Sequence, residues 1–211
     1  MQKRLVRKVD LEKAISEIEP HPMPEAYLEQ YTIPSRVAAE ILFLATYVYD
    51  DIIDKAVVDL GCGTGRLAIG AALLGARETF GIDVDKLAVD LARKNAERSN
   101  VKQNTHWFVA DINVMQGTFD TVLQNPPFGV QRRRADRKFM EKSLELGREI
   151  YSLHKSGERN RAFIKRFIER HGGKVTGIFP MKMDIPRMFE FHTKKKHSVQ
   201  VDLYRIEGKR H

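Results

Sequence analysis

The chain has 211 residues, 42% hydrophobic and 30% charged, and its 36 lysines and arginines against 28 aspartates and glutamates leave a formal net charge of +8. That length suits one substantial domain with its own core. No apolar run approaches the roughly 18 residues of a membrane span, and no signal-peptide apolar stretch follows the basic start, so a cytoplasmic location is expected. The single cysteine, Cys62, excludes an intrachain disulfide and a multi-cysteine zinc site, while the positive balance favours a polyanionic partner.

In residues 1–19, Leu11, Ile15 and Ile18 fall at helical spacing. Pro20, Pro22 and Pro24 then break the pattern, so residues 1–24 read as an N-terminal helical extension and 25–211 as the main domain. Ser35 is placed to cap a helix over 36–49, with Val37, Ile41, Leu44 and Val48 on its buried face. Residues 56–60, Ala-Val-Val-Asp-Leu, form a short buried strand that runs into Gly61, Cys62, Gly63, Thr64 and Gly65 and then a helix over 66–74. Strand, glycine-rich turn and helix start make a nucleotide-type site: the glycines allow close backbone approach and the helix start presents free N–H groups.

A second strand, 78–82, ends at Asp83, Val84 and Asp85, with Asp83 18 residues after Gly65. A carboxylate there can accept both hydroxyls of a ribose. It can equally cap the helix expected over 86–98, and Asp83 and Asp85 can divide the two tasks. A third strand, 105–110, ends at Asp111 and Ile112, and a fourth, 119–124, ends at Asn125. Acidic or amide groups thus close successive strands at Asp59, Asp83, Asp111 and Asn125, and ligands of open α/β sheets bind at such strand ends.

Asn125, Pro126, Pro127 and Phe128 form the catalytic candidate. The prolines have fixed φ and no N–H, and they push the residue before each of them out of the helical region. The loop is therefore stiff and extended, with an outward-facing Asn125 amide, a free carbonyl and an aromatic plane. That set can clamp a planar ring bearing an exocyclic amino group; the plainer reading is a proline-stiffened turn with Phe128 in the core. Residues 131–138 follow with five basic side chains in eight, Arg132, Arg133 and Arg134 among them, placed to hold a phosphate backbone if they are more than a solvated face. Helices over 139–147 and 159–170 and strands over 149–153, 174–183 and 199–206 complete the pattern. Between the last two strands, Phe189 and Phe191 interleave with Lys194, Lys195 and Lys196, which suits single-stranded RNA.

The turn Asp59 to Gly65, G-x-G-x-G rather than G-x-G-x-x-G, resembles motif I of class I S-adenosylmethionine-dependent methyltransferases. With Asn125-Pro126-Pro127-Phe128 it resembles an amino-group N-methyltransferase. Leu28-Glu29-Gln30-Tyr31, Tyr151-Ser152-Leu153-His154-Lys155-Ser156 and Phe191-His192-Thr193-Lys194-Lys195-Lys196 extend the likeness from about residue 25 to 206. Together they resemble the archaeal and eukaryotic methyltransferase-like family that makes N6-methyladenosine in small-subunit ribosomal RNA; human-type members carry a cysteine in place of Thr64, and a lysine is usual in place of Thr193. The resemblance implies a Rossmann-like seven-stranded, mostly parallel sheet with helices on both faces and an antiparallel last strand. It implies that Gln30 and Thr32 close over the cofactor. Gly61 and Thr64 would line its amino-acid end within the 59–65 turn, Asp83 with Val84 would hold the ribose side, and Asp111 with Ile112 the adenine. Asn125 and the Pro126 carbonyl would accept from the target amino group, and Phe128 would stack on the base. It also implies a small zinc-binding activator protein as a partner. A protein glutamine amide, the N2 group of guanine, and a non-catalytic cofactor-binding subunit stay open as alternatives.

Overall fold

The computed structural model describes residues 7–25, 32–128, 135–186 and 196–209. Its framework is a seven-stranded sheet in the order β3-β2-β1-β4-β5-β7-β6. The central strands β1 (Ala56–Leu60) and β4 (Phe119–Gln124) are short β-branched runs whose Val57, Val58, Val122 and Leu123 are wholly buried. Burial on both faces is what a parallel strand between helical layers requires. β2 (Glu78–Asp83), β3 (Thr105–Val109) and β5 (Gly147–Lys155) run parallel with them. β6 (Lys174–Pro186) and β7 (Lys196–Glu207) form a long antiparallel pair, and β7 lies between β5 and β6, antiparallel to both.

Helices α1 (Lys8–Ser16), α2 (Ser35–Phe43), α3 (Arg66–Leu73) and α4 (Lys86–Arg98) cover one face. Leu11, Ile15 and Ile18 of the N-terminal segment join Val37, Ile41 and Leu42 of α2 and Val57, Leu123 and Leu153 of the sheet in one core. On the opposite face, Met140 and Leu144 of α5 (Ala135–Leu146) and Ile164 and Ile168 of α6 (Glu158–Arg170) pack on Val58, Leu60, Val122 and Ile150. Among the described residues no helix is long and apolar enough to cross a membrane.

Strands β1 and β4 and helix α4 begin and end where their sequences predict. Other boundaries differ for physical reasons. Ser35 is the first helical residue rather than the cap, because Pro34, held at φ −58°, takes the cap position and its carbonyl accepts from Ala38 at 3.0 Å. Past Phe43 the helix widens into a π turn, Leu44–Val48, with Thr46 Oγ1 donating to the Leu42 carbonyl at 2.7 Å. The wider turn advances less per residue and swings Val48, expected on the buried face, out to 62% exposure. Helix α5 starts four residues before its predicted 139, so Asp136, Arg137 and Lys138 sit in its first turn, and it passes into β5 without a loop.

Candidate active site

The C-terminal ends of β1, β2, β3 and β4 lie side by side, so the residues just past them share one edge of the molecule. Asp59, 2% exposed, accepts from the Ala68 N–H at the start of α3 at 3.2 Å. Gly61, Gly63 and Gly65 follow with φ of +70°, +50° and +92°, a conformation that β-carbons disfavour. The N–H groups of Gly61 and Cys62 donate to the Ile82 carbonyl at 2.9 and 3.0 Å, pinning the turn to the end of β2. A β-carbon on Gly65 would stand 2.7 Å from the Trp107 ring and one on Gly61 3.0 Å from Phe139, whereas at Gly63 nothing lies within 4 Å. The turn is packed tightly on its flanks and open at its centre. Thr64 and Cys62 are buried beneath it, and burial pushes the Cys62 thiol well up.

At the end of β2, Asp83 accepts from the Gly63 N–H at 2.9 Å and from the Asp85 N–H at 3.0 Å. Asp85 caps α4, accepting from Leu87 and Ala88 at 2.8 and 3.3 Å. Of the two aspartates, Asp85 serves the helix as its cap, and Asp83 braces the glycine turn against the end of β2. Burial raises the carboxyl of Asp59 to about 7, against the N–H bond from Ala68 and with the charge of Asp83 adding to it. Burial likewise raises Asp83, against its N–H bonds from Asp85 and Gly63. Two desolvated, mutually repelling carboxylates favour a cation beside them. Val84 is 51% exposed next to Asp83. Past β3, Asp111 caps a short 3₁₀ turn through the Asn113 N–H at 2.9 Å, and Ile112 anchors in the core. Lys138 of α5 grips both Asp111 oxygens, at 3.0 and 2.8 Å, a contact with no local sequence signal.

Past β4, Pro126 is buried and Asn125, Pro127 and Phe128 are half-buried. The Asn125 amide does not face outward as expected. Its Oδ1 is buried and has no hydrogen-bond partner among the described residues, and Phe128 packs back on the core. The neighbouring Gln124 points to the opposite face, where its Nε2 donates to Ser152 Oγ at 2.8 Å and to Ser143 Oγ at 3.3 Å. Ser152 Oγ is then free to donate to His154 Nε2 at 2.7 Å. Burial lowers His154 to about 4, against the charge of Asp202, so the imidazole is neutral and an acceptor at that nitrogen. This chain holds the tip of β4 between α5 and β5.

The N-terminal segment is strapped to the same edge. Asn95 of α4 donates to the carbonyls of Glu19 and Thr64, both at 3.1 Å, and accepts from the Glu19 N–H at 3.2 Å. His21 Nε2 meets Asp85 Oδ2 at 2.8 Å, and Arg66 donates to the Ile33 carbonyl at 2.6 Å. Thr32, half-buried, lies just beyond this strap. Gln30, Arg132, Arg133, Arg134, Lys194 and Lys195 lie outside the described residues, and only the backbone of Lys196 is described, as the first residue of β7.

An open glycine turn and a carboxylate at the next strand tip fit S-adenosylmethionine, whose ribose offers hydroxyl donors and whose amino-acid end needs close backbone approach. The sheet order with its antiparallel β7 is that of the class I S-adenosylmethionine-dependent methyltransferases. The ribosomal protein L11 methyltransferase (PrmA) family model matches residues 42–126. An uncharacterised protein of Methanocaldococcus jannaschii is 40% identical over 96% of this chain and 95% of its own. The rRNA N(6)-adenosine-methyltransferase METTL5 of Danio rerio is 33% identical over 93% of this chain and 97% of its own. The crystal structure of PH1948 from Pyrococcus horikoshii, a candidate RNA methyltransferase, superposes with a TM-score of 0.90 at 41% identity, covering 97% of this chain and 98% of that one. The chain therefore belongs to the METTL5-like family of class I S-adenosylmethionine-dependent methyltransferases.

Proposed function

We propose that the protein transfers a methyl group from S-adenosylmethionine to the N6 amino group of an adenosine in RNA, with small-subunit ribosomal RNA as the substrate. The observation that carries this reading is the Asn125 Oδ1, buried and without a partner among the described residues, in the residue before Pro126. A buried acceptor without a donor is costly, and an exocyclic amino group brings two hydrogens, one for each oxygen. The rRNA relative matches nearly the whole chain, whereas the protein-methylating family model stops at residue 126, inside the catalytic loop. What it matches is the cofactor half, which serves any acceptor.

In this reading Asp83 holds the ribose hydroxyls and Val84 flanks them. Asp111 and the backbone of Ile112 take the adenine amino group and ring edge, and the 59–65 turn, with Gly61 and Thr64, lines the amino-acid end. Gln30 and Thr32 close over it. The bound cofactor supplies an activated methyl on a sulfonium. The chain's own residues orient the acceptor. The adenine N6 lone pair is delocalised into the ring, so the amine is a poor nucleophile. Hydrogen bonds from its two hydrogens to Asn125 Oδ1 and the Pro126 carbonyl favour a pyramidal nitrogen with its lone pair directed away from them. They also stabilise the positive charge that grows on nitrogen. Positioning supplies the remaining rate, and the proton leaves to water. Pro127 keeps the loop stiff, and Phe128 stacks on a base turned out of its strand. The free edge of β3, with Phe108, Val109 and Val114 exposed at 44%, 41% and 63%, is the sheet edge that a small activator protein would extend.

The test is incubation of the protein with radiolabelled S-adenosylmethionine and total RNA from source cells lacking the gene, followed by nucleoside mass spectrometry. Label in N6-methyladenosine of small-subunit rRNA is the expected result. Label in guanosine, or in protein alone, would replace the substrate.

A further inference from the structure

Strand β5 outlasts β4. Gln124, the last residue of β4, pairs with Ser152, and β5 continues through Leu153, His154 and Lys155 while the β4 chain leaves the sheet as the 125–128 loop. On its β4 side, Lys155 therefore stands beside the catalytic loop rather than beside a strand. Alternation sends His154 into the core, where it is 3% exposed, and Lys155 to the opposite face. There its ammonium lies 5.8 Å from the centroid of the Phe128 ring.

The backbone under Lys155 is fixed. The residue pairs with Val201 of β7, its carbonyl accepts from Asn160 Nδ2 at 2.5 Å, and the next N–H, of Ser156, donates to the Gln200 carbonyl at 3.0 Å. Its charge is handled differently from that of Lys86, Lys102, Lys138 and Lys142, each of which meets a carboxylate. Among the described residues Lys155 is exposed and rests on an aromatic face alone. An ammonium held on a rigid strand end, at the rim of the catalytic loop and with no anion of its own, is complementary to an anion that arrives with the substrate.

We propose that Lys155 binds the phosphate of the target nucleotide, moving off the Phe128 ring as the base takes its place there. A phosphate oxygen is a much stronger partner for an ammonium than an exposed ring face, so the exchange runs towards the bound state. The lysine covers the ring in the free enzyme and yields it to stacking in the complex. This inference rests on the RNA reading above and deepens it. A protein amide carries no phosphate, so the same side chain makes the loop select nucleotides over glutamine.

The experiment compares wild type, Lys155→Met and Lys155→Arg for methylation of rRNA from cells lacking the gene across a range of salt concentrations. Affinity for S-adenosylhomocysteine is measured in parallel. Methionine keeps the apolar stem against Phe128 and removes the charge; arginine keeps the charge. The expected result for Lys155→Met is a KM for rRNA raised about tenfold and a salt slope of log KM reduced by about 0.7, the contribution of one single-strand phosphate contact. Cofactor affinity should not move, and Lys155→Arg should restore most of the loss. An unchanged salt slope in Lys155→Met, or no rescue by arginine, would overturn the proposal and leave Lys155 as a prop for Phe128. A wild-type enzyme that labels no RNA at all would instead remove the RNA reading, and this inference with it.

Discussion

The two halves of the site treat their polar groups in opposite ways. On the glycine-turn side, Asp59, Asp83, Asp85 and Asp111 each already accept from backbone N–H groups of the adjoining turns and helix starts. On the catalytic-loop side, the Asn125 oxygen is buried with no donor among the described residues. The carboxylates of the first half are anchored without a ligand. The second keeps an unmet acceptor among the described residues, at a cost of about 1–3 kcal/mol, which in the proposed reaction an entering amino group would offset.

Breaking the second half should have the largest effect on rate. Asn125→Ala should lower kcat by about 100- to 1,000-fold, the range for removing one aligned transition-state hydrogen bond, while calorimetry finds S-adenosylhomocysteine affinity within about twofold of wild type. An Asn125→Ala enzyme with full turnover would end the role assigned to that amide. Breaking the first half should act on affinity instead. Asp83→Ala removes the ribose acceptor and strands the Gly63 and Asp85 N–H groups, so the dissociation constant should rise about 10- to 100-fold, at about 1.4 kcal/mol per decade, and the melting temperature should fall with it.

The pH dependence of stability sharpens the contrast. Asp59 is held at about 7 in the fold, against an ordinary aspartate value near 3.9 in the unfolded chain. Between those values the folded state binds the extra proton, so the stabilisation present below about pH 4 is lost as pH rises towards 7 and is constant above it. Asp59→Asn should therefore melt close to wild type at pH 4 and above it at pH 8, by several degrees, since 1 kcal/mol is about 2–4 °C for a chain of this size. A gap that does not widen between those pH values would show that Asp59 is ionised throughout. The smallest effect belongs to the exposed Lys138–Asp111 pair, worth about 0.2–1 kcal/mol. Lys138→Met removes this ion pair from Asp111 and should tighten S-adenosylhomocysteine binding by no more than about fivefold in calorimetry.

Much of the cofactor half was legible in the sequence because its signals are local. An apolar β-branched run stops at glycines, and an aspartate stands two residues beyond a strand tip with a helix pattern behind it; these placed β1, α4, Asp83 and Asp85. Contacts between distant segments were not legible. Phe139 against Gly61, Lys138 on Asp111 and Lys155 over Phe128 each join residues that only the fold brings together, and none disturbs a local pattern. The burial of Asn125 Oδ1 was missed for the same reason: two prolines predict a stiff loop but not which way it leans. The helical spacing of Leu11, Ile15 and Ile18 was plain, but the core they enter is built from α2, α3 and the sheet.

The position of β7 has a consequence for how the enzyme is made. This strand follows β6 in sequence, yet it lies inside the sheet with β5 on one side and β6 on the other. While a ribosome is still synthesising residues 196–207, β5 has no partner on its outer flank and β6 has none at all. Assembly therefore ends with an insertion rather than an addition, and a nascent chain that already carries both the glycine turn and the catalytic loop is still an open sheet. A polypeptide that stops before residue 196 would expose two unpaired strand edges, the form most prone to pair with one another.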